Sequence, residues 1–158
     1  MALTRRDTLI TAGEGLTGYT FSNDELLWEA VQAPGSNTAF LYPEGNKRLA
    51  MIGGAVLKLT VLDDLRPRNM TIGAMHNAAE SIVNTTGLER VGRLLNIDEI
   101  VNRNPSQQGS VSPRTITDTV QAILGAVYLD SGRSIDSVRL VMANLGLWGP
   151  ESEQLALL

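Results

Sequence analysis

Hydrophobic positions recur along the chain at helical spacing, and breaks that contain glycine or proline separate them. The first helix is predicted to begin near Ser22, which with Glu25 fits a capping box. Phe21 and Leu26 on either side fit a hydrophobic staple. This helix is predicted to end at Pro34-Gly35.

The longest apolar pattern runs from Glu44 to Leu65 and predicts a central helix that is buried on most sides. Two adjacent glycines, Gly53 and Gly54, interrupt it, and each costs a helix about 1 kcal/mol relative to alanine. Close packing against another backbone is the simplest compensation. The residues that follow the helical period are Leu49, Ile52, Val56, Leu59 and either Val61 or Leu62.

The second half of the chain repeats this alternation of helices and breaks. A helix over residues 115–130, stopped by Ser131-Gly132, is predicted to be the second buried helix, and Gly146 is predicted to close a last helix. Strand signals are almost absent, so the predicted fold is all-α. The remaining predictions are helices over 71–86 (ending at Gly87), 88–95 and 98–101, and a polar surface loop over 102–113.

Composition narrows the class of protein. The 158 residues suit a single domain spanning 1–158, and 43% hydrophobic residues suffice for a core. The absence of cysteine excludes disulfides and thiolate zinc sites. No apolar run approaches the roughly 20 residues of a membrane span, and the N-terminus lacks a secretory signal, so we expect an intracellular protein without a membrane partner. Cytoplasm, nucleus and mitochondrion stay open.

Three segments resemble the signatures of the ribonuclease III catalytic domain, and the likeness extends over a core of about residues 16–146. The opening segment, 18–27, reads GYTFSNDELL. The first motif, 46–57, reads NKRLAMIGGAVL, where the family has roughly N-E-R-L-E-F-L-G-D-A-V-L. The second motif, 118–130, reads DTVQAILGAVYLD, where the family has roughly D-x-x-E-A-x-x-G-A-x-Y-L-D.

The resemblance implies five acidic positions that hold Mg²⁺ for phosphodiester hydrolysis. This chain has Lys47, Ala50, Gly54, Asp118 and Gln121 there, so only Asp118 keeps a carboxylate. Residues three, four and seven apart share a helix face, which groups the first three positions and the last two. Because one carboxylate and one amide cannot replace several carboxylates around hard cations, we expect neither bound Mg²⁺ nor cleavage.

The resemblance also implies an all-α homodimer whose two copies form a valley for double-stranded RNA. No separate double-stranded-RNA-binding domain is expected. The leading hypothesis is a non-catalytic relative that binds structured RNA or acts as a dimeric scaffold, in RNA processing or as a structural protein of a mitochondrial ribosome. An enzyme with an altered metal site and a pure dimerisation module are alternatives, and an intact relative could form a heterodimer.

Simpler interpretations stand beside these. Asp118 could favour a helix dipole, and Lys47 with Arg48 is a weak candidate for RNA contact, since the net charge of −4 weighs against strong, unaided RNA binding. Asp63-Asp64 lies too far from Gly54 to replace it. His76 is interpreted as structural, and Trp28 and Trp148 as packing residues rather than base-stacking platforms.

Overall fold

Seven α-helices and two short 3₁₀ turns make up residues 2–149, the part of the chain that the computed structural model describes. Position 1 and positions 150–158 of the predicted domain lie outside it. Between residues 2 and 149 there is no strand, only an isolated parallel bridge between Gln32 and Asn102. The all-α prediction is therefore confirmed. The helices are α1 Arg5–Thr17, α2 Asp24–Ala30, α3 Lys47–Leu65, α4 Ile72–Val83, α5 Thr85–Leu94, α6 Pro113–Asp130 and α7 Ile135–Leu145.

Local sequence explains where several helices begin and end. The hydroxyl of Ser112 accepts a hydrogen bond from the backbone N–H of Thr115, and Pro113 follows at the first helical position. Helix α6 therefore starts two residues before the predicted start at 115. Gly146 ends α7 in the left-handed conformation (φ 75°), as predicted. Along the part of the chain that the structure describes, no helix is both long and apolar enough to cross a membrane.

Helices α3 and α6 form the centre of the fold and touch backbone to backbone. A Cβ atom on Gly53 would lie 1.6 Å from the carbonyl oxygen of Gln121, and one on Gly125 would lie 2.4 Å from that of Leu49. Only glycine allows this approach. The predicted close packing around the paired glycines is thus confirmed for Gly53.

The predicted start and end of α2, the helix of the opening segment 18–27, are wrong. Its N-cap is Asn23, whose side chain accepts the N–H of Glu25, so the Ser22 capping box does not form. Instead the backbone N–H groups of Ser22 and Asn23 donate to the carboxylate of Asp130, at 2.9 and 2.8 Å. The helix ends at Ala30, before Pro34-Gly35, because a buried loop follows.

The prediction of one helix over 71–86 is also wrong at its end. Asn84 terminates α4, and its side chain accepts the N–H of Gly87 to begin α5. Gly87 is therefore inside a helix rather than after one. Helix α1 was not predicted, although Thr4 and Asp7 form a capping box at its start.

The central helix is less buried than predicted, and it begins at Lys47 rather than Glu44. The outer face carries exposed apolar side chains, with Ile52 36% and Leu59 53% exposed, whereas Met51, 79% exposed, lies about 100° around the helix from Ile52. Gly45, at φ 62°, turns the chain into the helix just before its start. Within a single copy of the chain the other sides of α3 pack mainly on α6, and also on α4 and α7.

Candidate functional site

An open cleft of about 630 Å³ lies between the N-terminal halves of α3 and α6. We call it the α3–α6 cleft. The five positions singled out from the family motifs all line it, and the other polar residues around it are Glu44 and Arg114. The grouping predicted from helical spacing is confirmed: one face of α3 and one face of α6 meet here, and the lining positions are Lys47, Ala50, Gly54, Asp118 and Gln121.

The paired glycines differ in what they face. Gly53 contacts the backbone of α6, whereas a Cβ on Gly54 would meet only the Gln121 side-chain amide, 3.0 Å from its nitrogen. The side of α3 that carries Gly54 therefore faces the cleft rather than a neighbouring helix. There is room at this position for a larger residue if the Gln121 side chain moves.

Asp118 is the one carboxylate at the five motif positions. Its side chain is 17% exposed, and one of its oxygens lies 3.7 Å from Nε of Arg114, one turn earlier on α6. Burial raises the pKa of the Asp118 carboxyl, although the charges of Arg114 and Lys47 act in the opposite direction. A helix dipole favours a carboxylate only in the first turn, and Asp118, the sixth residue of α6, lies beyond that turn.

The donor atoms at these positions do not suit a pair of Mg²⁺ ions. Mg²⁺ prefers an octahedron of oxygen ligands that includes carboxylates. The five positions offer the Asp118 carboxylate and the Gln121 amide, while Lys47 brings a positive charge. Glu44 adds a carboxylate on the lining. Within residues 2–149 no three His, Cys, Asp or Glu side chains are grouped so as to hold a metal ion.

Buried polar side chains fix the two loops that lead into the cleft. Gln32 is fully buried, and its amide oxygen accepts from Asn102 at 2.8 Å and from Thr38 at 2.7 Å. Backbone hydrogen bonds join the same segments, from Ala33 N–H to the Asn102 carbonyl and from Asn102 N–H to the Val31 carbonyl. Residues 31–38 and 102 are thereby held together next to the starts of α3 and α6.

Arg48 points away from this cleft, although it follows Lys47 directly. It lines a second cleft of about 650 Å³ whose walls include Glu29, Leu41, Ile52 and Leu129. Burial raises the pKa of Glu29, and the charge of Arg48 opposes that shift. Lys47 and Arg48 therefore do not form one basic patch, and any role of either in RNA contact stays a prediction.

Asp63, Asp64 and the two tryptophans make structural contacts away from the α3–α6 cleft. Asp63 and Asp64 accept from Arg139 at 2.9 Å each, and the Trp148 indole N–H donates to Asp64 at 2.8 Å. Trp148 and Trp28 are buried, as their interpretation as packing residues requires, and the Arg6 guanidinium lies 5.5 Å from the Trp28 ring centroid. His76 is exposed on α4.

Two charged residues of the cleft were missed from the sequence. Arg114 precedes Asp118 by four residues, a helical spacing that could have revealed it. Glu44 lies in the loop before α3, and its position depends on the turn at Gly45, for which helical periodicity carries no signal.

Comparison with known proteins agrees with this geometry. The family described as Ribonuclease III domain matches residues 47–132, more than half of the chain and the segment that contains both cleft-lining helices. Among curated proteins, Ribonuclease 3 of Nitratidesulfovibrio vulgaris is 33% identical over 141 residues, covering 85% of this chain and 55% of that protein. Ribonuclease 3 of Campylobacter curvus is 30% identical over 135 residues, covering 82% and 58%.

Solved structures show the same fold. The nuclease domain of ribonuclease III from Campylobacter jejuni, in a study of flexibility in its dimer-forming region, aligns with a TM-score of 0.66 at 24% identity. The alignment covers 85% of this chain and 97% of that one. The chain spans about half the length of the first curated relatives that it matches.

Proposed function

The chain belongs to the ribonuclease III domain family, and from that premise we propose that it is a non-catalytic member that binds double-stranded or structured RNA as a homodimer. The observation that carries this proposal is the chemistry of the α3–α6 cleft. All five motif positions line one cleft, yet only Asp118 supplies a carboxylate there.

Loss of cleavage follows from what two-metal hydrolysis requires. The metal ions must be held about 3.5–4 Å apart so that they stabilise both the attacking and the leaving oxygen. Lys47 opposes a cation electrostatically, and Ala50 and Gly54 have no ligand atoms. Asp118 with Glu44 and an amide leaves too few negative ligands to offset dehydration of two such ions.

The exposed apolar residues support a homodimer. Phe40 and Leu41 are 81% and 57% exposed, and the outer face of α3 adds Ile52 and Leu59. Grouped apolar side chains of this kind usually mark a contact surface. The second cleft lies on the same side of α3 and mixes apolar walls with Glu29 and Arg48, so an isologous contact could pair opposite charges across a two-fold axis.

RNA binding is supported by the family and by the open shape of the α3–α6 cleft. Duplex RNA is recognised mainly through its shape and backbone rather than its bases. Two copies of the cleft side by side in a homodimer would give an elongated surface for such a backbone. The net charge of −4 leads us to expect weak, strongly salt-dependent binding.

One pair of assays on a single long duplex RNA tests the proposal. Purified protein is incubated at high concentration with Mg²⁺ or Mn²⁺ and the RNA is examined for cleavage, while a parallel titration measures binding at several salt concentrations. We expect intact RNA and binding that weakens with salt.

Each departure from that result has a distinct meaning. Metal-dependent cleavage would contradict the non-catalytic assignment and favour an enzyme with an altered metal site. A dimer that neither cleaves nor binds RNA at low salt would contradict the RNA-binding part and leave a dimerisation module.

A further inference from the structure

We propose that Lys47 and Arg114 bind phosphate groups of the RNA backbone directly, at the place where the family pattern implies metal ions. The inference rests on the proposed RNA binding and names the groups that perform it. It also implies that RNA binding by this chain does not require a divalent cation.

The position of the two cations is the first argument. Lys47 is the first residue of α3 and Arg114 the second of α6, and both line the α3–α6 cleft. Within residues 2–149 no carboxylate lies within 4.0 Å of the Lys47 ammonium. The Arg114 side chain is 79% exposed and its ion pair with Asp118 is loose, at 3.7 Å from Nε, so its guanidinium is accessible to a ligand.

Helix stability does not account for these residues. A cation in the first turn is disfavoured by the helix dipole. Of the helices in the described part of the chain, α3 and α6 are the two that have a basic but no acidic residue in the first turn. Both open onto the same cleft. Arg48, also in the first turn of α3, lines the second cleft beside Glu29, whereas Lys47 and Arg114 bring two locally unfavourable charges to one place, as expected where a site for an anion compensates.

The net charge at the five motif positions also favours direct binding of a phosphate. Five carboxylates would carry a charge of −5, whereas Lys47 (+1) and Asp118 (−1) sum to zero here. A phosphate approaching five carboxylates needs bridging cations, since like charges a few ångströms apart repel strongly. In this chain the repulsion is largely removed, and the Gln121 side-chain amide adds a neutral hydrogen-bond donor.

Two carboxylates of the cleft oppose phosphate binding and must be weighed. Burial weakens the ionisation of Asp118, and the charges of Arg114 and Lys47 both act on it. Glu44 lines the cleft from the loop before α3. Counting these two with Lys47 and Arg114, the cleft is formally neutral. Phosphate binding therefore depends on both cations, and we expect removal of either to reduce it.

The test measures RNA affinity against salt concentration for the full chain, in EDTA and in Mg²⁺. Each phosphate contact adds about 1 to the slope of log affinity against log salt. Replacing both residues (Lys47→Ala with Arg114→Ala) should reduce the slope by about 2 for each cleft engaged, whereas Lys47→Arg should retain it. Arg133→Ala is the control, since Arg133 is exposed just beyond the other end of α6, and that end lies about 24 Å along the helix axis from Arg114.

The outcomes separate this inference from the proposed function. Equal slopes for the double variant and the Arg133→Ala control, with binding retained, would overturn the role of the two cations but not RNA binding. Loss of binding in EDTA would likewise overturn it. An unmodified protein that binds no RNA at low salt would contradict the proposed function and this inference together. Circular dichroism shows whether each variant is folded.

Discussion

Helices α3 and α6 meet at two neighbouring places, a close backbone crossing and an open cleft, which tolerate different side chains. At the crossing, Gly53 and Gly125 bring the backbones together so closely that no side chain fits. At the α3–α6 cleft, one residue further along α3, Gly54 faces only the movable Gln121 side chain. The crossing has the glycines that its backbone contact requires, whereas the five motif positions of the cleft have only Asp118 as a carboxylate. Architecture and chemistry are therefore separable within a single helix pair.

The two glycines give the largest expected difference. Gly53→Ala gains about 1 kcal/mol of helix propensity but must separate α3 from α6, because its Cβ would lie 1.6 Å from a backbone oxygen. Overpacking of this kind costs about 1–3 kcal/mol where neighbours can yield, and a backbone yields little. We expect a protein that is at least about 2 kcal/mol less stable or does not fold, measured by chemical denaturation. Gly54→Ala is the matched control and should be neutral or stabilising by up to about 1 kcal/mol. Equal stability of the two variants would contradict the distinction between a packed crossing at Gly53 and an open cleft at Gly54.

The two aspartates of α6 sharpen the same comparison. Asp130 accepts from the Tyr19 hydroxyl and from two backbone N–H groups, at 2.8–2.9 Å. Asp130→Asn leaves at least one donor without an acceptor, so we expect a loss of about 1–3 kcal/mol. Asp118→Asn removes a half-buried charge with one loose partner, and its effect should be near zero or slightly stabilising at pH 7.

These aspartates should also differ in how stability responds to pH. Burial acts to raise the pKa of Asp130, but the N–H groups of Asn23 and Ser22 and the Tyr19 hydroxyl lower it overall. A lowered folded pKa stabilises the fold above the unfolded value, about 3.9, and this stabilisation is lost as pH falls through the folded pKa. The loss in the free energy of unfolding caused by Asp130→Asn should therefore shrink below about pH 4.

Asp118 should respond in the opposite way. Its pKa is raised, so its ionisation destabilises the fold as pH increases, and Asp118→Asn should remove that effect. A deficit of Asp130→Asn that stays constant from pH 7 to pH 2 would contradict this account.

The outer face of α3 gives a smaller effect, on assembly rather than folding. Ile52→Glu should weaken the proposed homodimer at least tenfold, about 1.4 kcal/mol, since it would bury a charge in the contact. Light scattering across a concentration series measures this. Ile72→Glu, at an 89% exposed position at the start of α4, is the control and should leave the dimer unchanged. An unmodified chain that is a monomer at micromolar concentration would show that the apolar face serves something else.

Helical periodicity predicted what depends on one helix at a time. It located α3 and α6, and it grouped the positions of each helix that line the cleft. The same geometry separates Lys47 from Arg48, because successive residues lie about 100° apart around a helix. Helical geometry alone therefore indicates that Lys47 and Arg48 face different surroundings.

Contacts between distant segments explain what periodicity could not predict. The N-cap of α2 is Asn23 rather than Ser22 because Asp130, more than a hundred residues later, accepts the backbone N–H groups of Ser22 and Asn23. The exposed face of α3 was predicted to be buried because an apolar pattern predicts burial without indicating whether the same chain or another molecule covers the residues. Glu44 reaches the cleft through a turn at Gly45 that has no periodic pattern.

Introducing carboxylates at the four motif positions that lack them tests the central claim most directly. Lys47→Glu, Ala50→Glu, Gly54→Asp and Gln121→Glu are made together, since a metal pair needs its ligands at once. The open side of Gly54 gives the new aspartate room. We expect the unmodified protein to leave duplex RNA intact with Mg²⁺ or Mn²⁺, the rebuilt protein to cleave it, and addition of Asp118→Ala to abolish that cleavage. Cleavage by the unmodified protein that Asp118→Ala abolishes would contradict the account.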